Sequence, residues 1–316
     1  MISIQNINGI ILVEVKEMLN KLYPRTYQQV MRLGMKVIKI RKPALLEGEN
    51  SLLDLPQLIH SKGIRRVLIV TDKGITSIGL MNKLLEQLTS LNISYVIFDQ
   101  TVPNPTIQNI EHARELYLEN DCEAIIAFGG GSPIDCAKGV AARIARPDKT
   151  IPKMKGMFKV LKEMPSFFAV PTTAGTGSEA TVAAVISNPK THEKYAIMDY
   201  CLVPHYAVLD PTITVNLPKH ITSTTGMDAL THAVEAYIGL SNTNETREYS
   251  REAVQLIFDN LLVAYNEPDN IEARANMMRA SYLAGMAFTR AYVGYVHAIA
   301  HTLGGFYNVP HGYANA

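Results

Sequence analysis

The sequence predicts an α/β fold, a parallel doubly wound sheet, followed by an all-helical half. Three observations carry this. Short apolar runs alternate with helical periods from residue 64 to about 217, the pattern of βα units. Two of those runs end in glycine-rich turns. Beyond Pro218 only helical periods remain.

The elements follow in order. Residues 66–71 (RVLIVT) are β-branched and strand-like, and 73–91 read as one helix with Ile78, Met81, Leu84, Leu85 and Leu88 on one side. Residues 94–98 (SYVIF) form the next strand. Two prolines make 102–105 (VPNP) a loop. A helix over 106–120 leads to the strand 123–128 (EAIIAF), whose unbroken apolar character marks burial on both faces. Residues 129–146 begin with glycines and continue as a helix, and 167–170 form a fourth strand. Helical periods then cover 223–237, 246–264, 271–288 and 293–303. This divides the chain into an N-terminal extension (1–42), an α/β domain (43–217) and a helical domain (218–316).

Composition excludes several classes of function. The 316 residues are 47% hydrophobic and 19% charged, with a net charge of +1, so no basic face speaks for nucleic acid. No apolar run reaches the ~18 residues of a membrane span. Cys122, Cys136 and Cys201 form no C-x-x-C pair and no even disulfide set, which fits a reducing cytoplasm. The first 42 residues carry eight Lys/Arg against Glu14 and Glu17 and have no signal-peptide pattern. They read as an extension of the first domain.

The chemistry-bearing segments are the glycine turns. Gly129-Gly130-Gly131-Ser132-Pro133-Ile134-Asp135 joins a buried strand to a helix, so its backbone can approach a ligand and its helix N-terminus can face an anion. It matches neither standard nucleotide fingerprint. Pro171-Thr172-Thr173-Ala174-Gly175-Thr176-Gly177-Ser178-Glu179 follows the fourth strand with four hydroxyls and two glycines. Two such loops at the carboxyl edge of one open sheet point to a nucleotide. Asp72, at the end of the first clear strand, suits a ribose diol and so NAD; a helix N-cap is the equal alternative.

In the helical half, Asp228 and His232 lie four residues apart, as do His297 and His301, and His311 follows. Each pair shares one helix face. One carboxylate with several imidazoles suits Fe²⁺ or Zn²⁺ before Mg²⁺. Spacing does not say which histidines ligate. A metal beside a dinucleotide cleft suggests Lewis-acid activation of a substrate oxygen.

These residues resemble the iron-dependent (group III) alcohol dehydrogenases. The resemblance runs from about residue 40 to the end, through VTDKGI (70–75), VPNPT (102–106), GGGSPIDCAK (129–138), PTTAGTGSEAT (171–181), GMDALTHAVEAY (226–237) and HAIAHTLGGFYNVPHGYAN (297–315). It implies a Rossmann-like dinucleotide domain and a helical metal-binding domain of the dehydroquinate-synthase-like fold. Asp228, His232, His297 and His311 are then the metal ligands, and His301 a proton-relay group. Gly130, Gly131, Ser132 and Asp135 serve the pyrophosphate. Thr172, Thr173, Thr176 and Ser178 line the second loop. Asp72 meets the adenosine ribose and Asn104 the cofactor's middle. Lys194 holds the nicotinamide ribose, or is a solvated surface lysine. Phe288 and Tyr292 wall the substrate pocket or pack the core. The implied activity moves a hydride between a primary alcohol or aldehyde and NAD(H), with Fe²⁺ (or Zn²⁺), in a cytoplasmic homodimer. The family pattern runs past HGYAN with further helices, whereas this sequence stops five residues after His311, so the backing of the ligands by neighbouring side chains and the burial of the core are expected to be incomplete. Two readings compete: a truncated, catalytically impaired nucleotide-binding relative, and a dehydroquinate-synthase-like lyase, which would carry more basic residues.

Overall fold

The computed structural model describes Thr26, Gln29 and residues 38–316 except Lys190, His192 and Asn308. The expected extension 1–42 therefore lies almost wholly outside the described residues. Arg41–Ala316 form one compact unit.

Six parallel strands make the main sheet: β1 (Ala44–Glu47), β2 (Arg66–Val70), β3 (Ser94–Phe98), β4 (Ala124–Gly129), β6 (Ser166–Pro171) and β9 (Tyr206–Leu209), in the order β1-β9-β6-β4-β2-β3. Between them run α1 (Leu55–Ser61), α2 (Lys73–Ser77), α3 (Asn82–Ser90), α4 (Ile107–Glu119) and α5 (Gly131–Ala145). Alternate residues of the strands feed two cores. Leu68, Val70, Ile125, Ala127 and Phe167 pack with α4 and α5. Val67, Ile69, Ile126, Phe128 and Phe168 pack with α1 and α3. Burial on both faces explains why β4 reads as a continuous apolar run. Each fully buried phenylalanine contributes roughly 1.5–3 kcal/mol.

The helix predicted over 73–91 is two helices. Gly79 adopts a left-handed φ of 66°, and the Asn82 side chain occupies the space a Cβ there would need, 2.8 Å away. Asp72 caps α2, its Oδ1 accepting from Ile75 N at 3.1 Å. Several strands went unpredicted. Edge strand β1 is largely exposed, and β9 is only four residues long. The antiparallel pair β7 (Ala183–Asn188) and β8 (Glu193–Met198) joins β5 (Gly156–Met157) in a second sheet.

The remaining elements are α6 (Lys219–Ile238), α7 (Asn244–Asn266), α8 (Ile271–Ala291), α9 (Tyr295–Tyr307) and α10 (His311–Asn315). Ala229, Ala233, Ala280 and Ala284 are fully buried, small side chains that let α6, α7 and α8 pack closely. The outer faces of α9 and α10 expose Tyr295, Ile299, Phe306, Tyr307 and Tyr313. No described helix is long and apolar enough to cross a membrane.

Candidate active site

The chain runs β2 to β3 in one direction, then returns across β2 to β4 and continues away. The carboxyl ends of β2 and β4 thus flank a topological switch point, where open sheets bind ligands. The first glycine turn follows β4 there. Gly129 has φ 152°, and a Cβ would lie 2.5 Å from Pro133 Cγ, so only glycine fits the turn. No side chain caps α5 at Gly130, which leaves its N-terminal N–H groups for another acceptor.

The two glycine loops abut. A Cβ on Gly130 would lie 3.3 Å from Thr173 Oγ1, and one on Gly131 2.8 Å from Thr176 Cγ2. Thr172 N donates to Gly129 O at 3.0 Å, while the Thr172 side chain is buried. A third loop joins them: Asn104 N donates to Ser132 Oγ at 3.2 Å, and Lys194 Nζ donates to Asn104 Oδ1 at 2.5 Å. Lys194 arrives on β8, whose partner β7 holds the 102–105 loop through Ser187 N to Pro105 O at 2.9 Å. Burial lowers the Lys194 pKa, with the Asp135 charge opposing; this lysine is not a free surface charge.

Half-buried Asp135 and buried Ser178 are engaged with the protein itself. Ser178 Oγ donates to Asp135 Oδ1 at 2.6 Å, and Val185 N to Oδ2 at 3.0 Å. Burial raises the Asp135 pKa. Buried beneath them is Lys138, a residue sequence reasoning passed over. Its Nζ donates to Thr181 O (2.7 Å), Thr181 Oγ1 (3.0 Å) and Ala183 O (2.9 Å). Burial pulls the amine down to about 8, and it pushes neighbouring Glu179 up to about 7. Gly177, at φ 60°, rests on Gly285 of α8: a Cβ there would meet Gly285 Cα at 2.7 Å.

Across that contact lies the histidine cluster. One ligand atom from each of Asp228, His232, His297 and His311 falls within 4.8 Å of the others. Asp228 and His232 share one face of α6, and α9 and α10 supply the other two. Asp228 Oδ1 is 3.6 Å from both His297 Nε2 and His311 Nε2, and 3.9 Å from His232 Nδ1. Asp228 and His297 are each 2% exposed. Burial opposes ionisation of Asp228, but the surrounding imidazoles, His232 first, hold it well below the usual carboxylate range. Burial lowers His232 to about 4 and also lowers His311. Burial acts to lower His297 too, but its contacts with Asp228 and Glu235 outweigh that and raise it. The ionised carboxylate and the neutral His232 and His311 are in the protonation states a metal requires.

Two further observations fit a cation. His232 Nδ1 is buried without a hydrogen-bond partner among the described residues. The Asn315 amide nitrogen, a donor, sits 2.6 Å from Asp228 Oδ1, 3.2 Å from His297 Nε2 and 3.3 Å from His311 Nε2. These lone pairs converge on one electron-pair acceptor.

Glu235, unassigned by sequence, supports the cluster. Its Oε2 lies 2.6 Å from His297 Nδ1, and it accepts from Gly294 N (2.8 Å) and Val296 N (2.7 Å). It thereby fixes the ring and caps the entry to α9, so the expected lack of backing for the ligands does not extend to His297. His301 stands outside the four-atom group, its ring 4.9 Å from that of His311. Burial, then the charges of His311 and Lys194, lower it to about 4. Phe288 stacks on His232 at 4.2 Å between ring centroids, which seats it against the cluster.

Comparison with known proteins settles the lineage. The profile described as "Iron-containing alcohol dehydrogenase" matches residues 43–211, and "Fe-containing alcohol dehydrogenase family, C-terminal" matches 222–316. The chain belongs to the iron-containing alcohol dehydrogenases. Within this family it is 40% identical over 274 residues to Alcohol dehydrogenase 4 of Saccharomyces cerevisiae, covering 87% of this chain and 72% of that protein. It is 41% identical over 271 residues to 1,3-propanediol dehydrogenase of Citrobacter freundii, covering 85% and 70%. Among solved structures, a 1,3-propanediol oxidoreductase superposes with TM-score 0.85 at 38% identity, covering 88% of this chain and 73% of that one. The sulfoacetaldehyde reductase of Bifidobacterium kashiwanohense, solved with NAD⁺, does so with TM-score 0.80 at 30% identity, covering 88% and 74%.

Proposed function

We propose that this family member oxidises a primary alcohol to its aldehyde with NAD⁺ and runs the reverse reaction with NADH. The observation that carries this is the convergence of Asp228, His232, His297 and His311 beside two abutting glycine loops at the sheet's switch point. Residues 43–217 serve the cofactor and 218–316 the metal.

Held by those four side chains, Fe²⁺, with Zn²⁺ as the alternative, supplies the Lewis acidity that makes an alcohol hydroxyl more acidic. NAD⁺ supplies the hydride acceptor. The chain's own share is positioning and proton handling. Gly130 and Gly131 let the backbone approach a pyrophosphate at the uncapped N-terminus of α5. Ser132, Asn104 and Lys194, already joined in one hydrogen-bonded chain, orient the cofactor's middle and nicotinamide ribose. Thr173 and Thr176 offer hydroxyls from the second loop, and Thr172, Ser178 and Asp135 brace that loop from behind. Asp72 caps α2 through one oxygen and keeps the other for a ribose. His301 stays neutral near pH 7 and can take a proton onto its ring. Phe288 covers one face of the His232 ring.

The buried free thiols Cys122, Cys136 and Cys201 agree with a cytoplasmic location, and a homodimer completes this reading. The test is NADH formation by Fe²⁺-loaded protein over a panel of short primary alcohols. A folded, metal-bound sample that turns over none of them refutes the proposal.

A further inference from the structure

Behind the second glycine loop lies a small, largely enclosed cavity to which the proposed reaction assigns no role. It has room for about one water-sized guest. Ala174 and Met277 give it apolar walls, and Thr214, Thr222, Thr225 and Arg274 give it polar ones. Arg274 is 3% exposed. Its Nε donates to Pro268 O and its Nη1 to Thr222 Oγ1, each at 2.9 Å. Its Nη2 is buried with no hydrogen-bond partner, and no carboxylate forms an ion pair with it, among the described residues. An uncompensated buried guanidinium is strongly unfavourable.

The hydroxyls sort the possible guests. Thr214 and Thr225 spend their protons on Pro211 O and Ile221 O, each at 2.8 Å. Thr222 Oγ1 accepts from Arg274, so its own proton is free to point into the cavity. The guest is thus offered two donors, Arg274 Nη2–H and Thr222 O–H, beside apolar walls. Water would satisfy the hydrogen bonds but leave the charge uncompensated. Sulfate, phosphate and nucleotides are too large.

We propose that this cavity is a structural site for a single halide ion, bound by Arg274 and Thr222. Its occupant braces the glycine loop, because Thr225 of the cavity wall packs under Gly175: a Cβ on that glycine would lie 2.5 Å from Thr225 Cβ.

The experiment is a thermal melt of the metal-loaded protein in rising sodium bromide or chloride, with sodium gluconate holding ionic strength constant. A saturable rise in Tm is expected with either halide and none with gluconate. Thr222→Val, which removes one donor and little packing, needs about tenfold more halide for the same rise. Arg274→Met abolishes the rise. Should that variant fail to fold, bromide-soaked crystals of the unaltered protein decide, by an anomalous peak beside Arg274 Nη2. A Tm indifferent to halide, a rise unchanged in Thr222→Val, or no bromide peak overturns the proposal and leaves a water site. None of these readouts depends on turnover.

Discussion

Replacing Glu235 with glutamine changes one atom and asks whether this carboxylate sets the tautomer of His297. In the protein Oε1 accepts from Val296 N at 2.7 Å, and Oε2 accepts from Gly294 N at 2.8 Å and faces His297 Nδ1 at 2.6 Å. A ring that donates Nδ1–H to a carboxylate presents its Nε2 lone pair to the cluster. Glutamine has a single acceptor oxygen. With that oxygen on Val296 N, its NH₂ group faces His297, which must then carry its proton on Nε2, where a ligand lone pair is needed. Losing such an outer partner costs about 10–100-fold in metal affinity, or about 1.4–2.7 kcal/mol. The lost acceptor for Gly294 N costs a further ~1 kcal/mol of metal-free stability, or about 2 °C in Tm. The assay is titration of metal-free protein with Co²⁺, followed by its visible absorption, beside melts in chelator. The expected outcome is weaker Co²⁺ binding with an altered spectrum and a small Tm loss, largely rescued in Glu235→Asp. If Glu235→Gln binds Co²⁺ with unchanged affinity and spectrum, the carboxylate is only a helix cap and the reasoning fails.

Other expectations follow from the same geometry. Asp228→Ala and His297→Ala should lose bound metal, measured as metal content of purified protein, and content equal to the unaltered chain would discard this ligand set. Gly131→Ala places a methyl 2.8 Å from Thr176 Cγ2; it should raise the KM for NAD⁺ about tenfold, roughly 1.4 kcal/mol, with little change in Tm, whereas an unchanged KM would remove this loop from the cofactor site. Lys138→Met strands the Thr181 and Ala183 carbonyls and should cost about 2–3 kcal/mol, read by denaturant unfolding. Glu179, raised from 4.5 to about 7 by burial, holds its proton more tightly folded than unfolded. Its contribution is therefore full below pH 4.5 and is lost as pH rises through 7, a change on the order of 3 kcal/mol. Glu179→Gln should flatten that slope, and an unaltered pH profile would refute the assignment.

The sequence made the central strands legible because burial on both faces writes them as unbroken apolar runs, as in residues 124–129. Strands β7 and β8 left only a fainter mark. In β8, buried Tyr195 and Ile197 alternate with partly exposed neighbours, a period of two that a polar turn separates from its partner. The break at Gly79 was hidden because glycine within a helical period is ambiguous until Asn82 is seen folding back on it. At the site, Asp228 and His232 stood out because four-residue spacing on a helix is local information. Glu235 did not, since its partner His297 is 62 positions away. Lys138 was silent for the same reason, its acceptors lying 43 and 45 residues downstream.

The contact of Gly177 with Gly285 is made by main chain alone, with a Cβ on Gly285 falling 2.7 Å from Gly177 O. It acts as a caliper: the gap between the hydroxyl-lined loop and α8, whose Phe288 stacks on His232, is set by two backbones with no side chain between them. Rotamer changes cannot lengthen or shorten it. Altering substrate choice would then fall to the lining side chains, while the spacing of the loop from α8 stays fixed. A methyl group at either glycine would disturb every substrate alike.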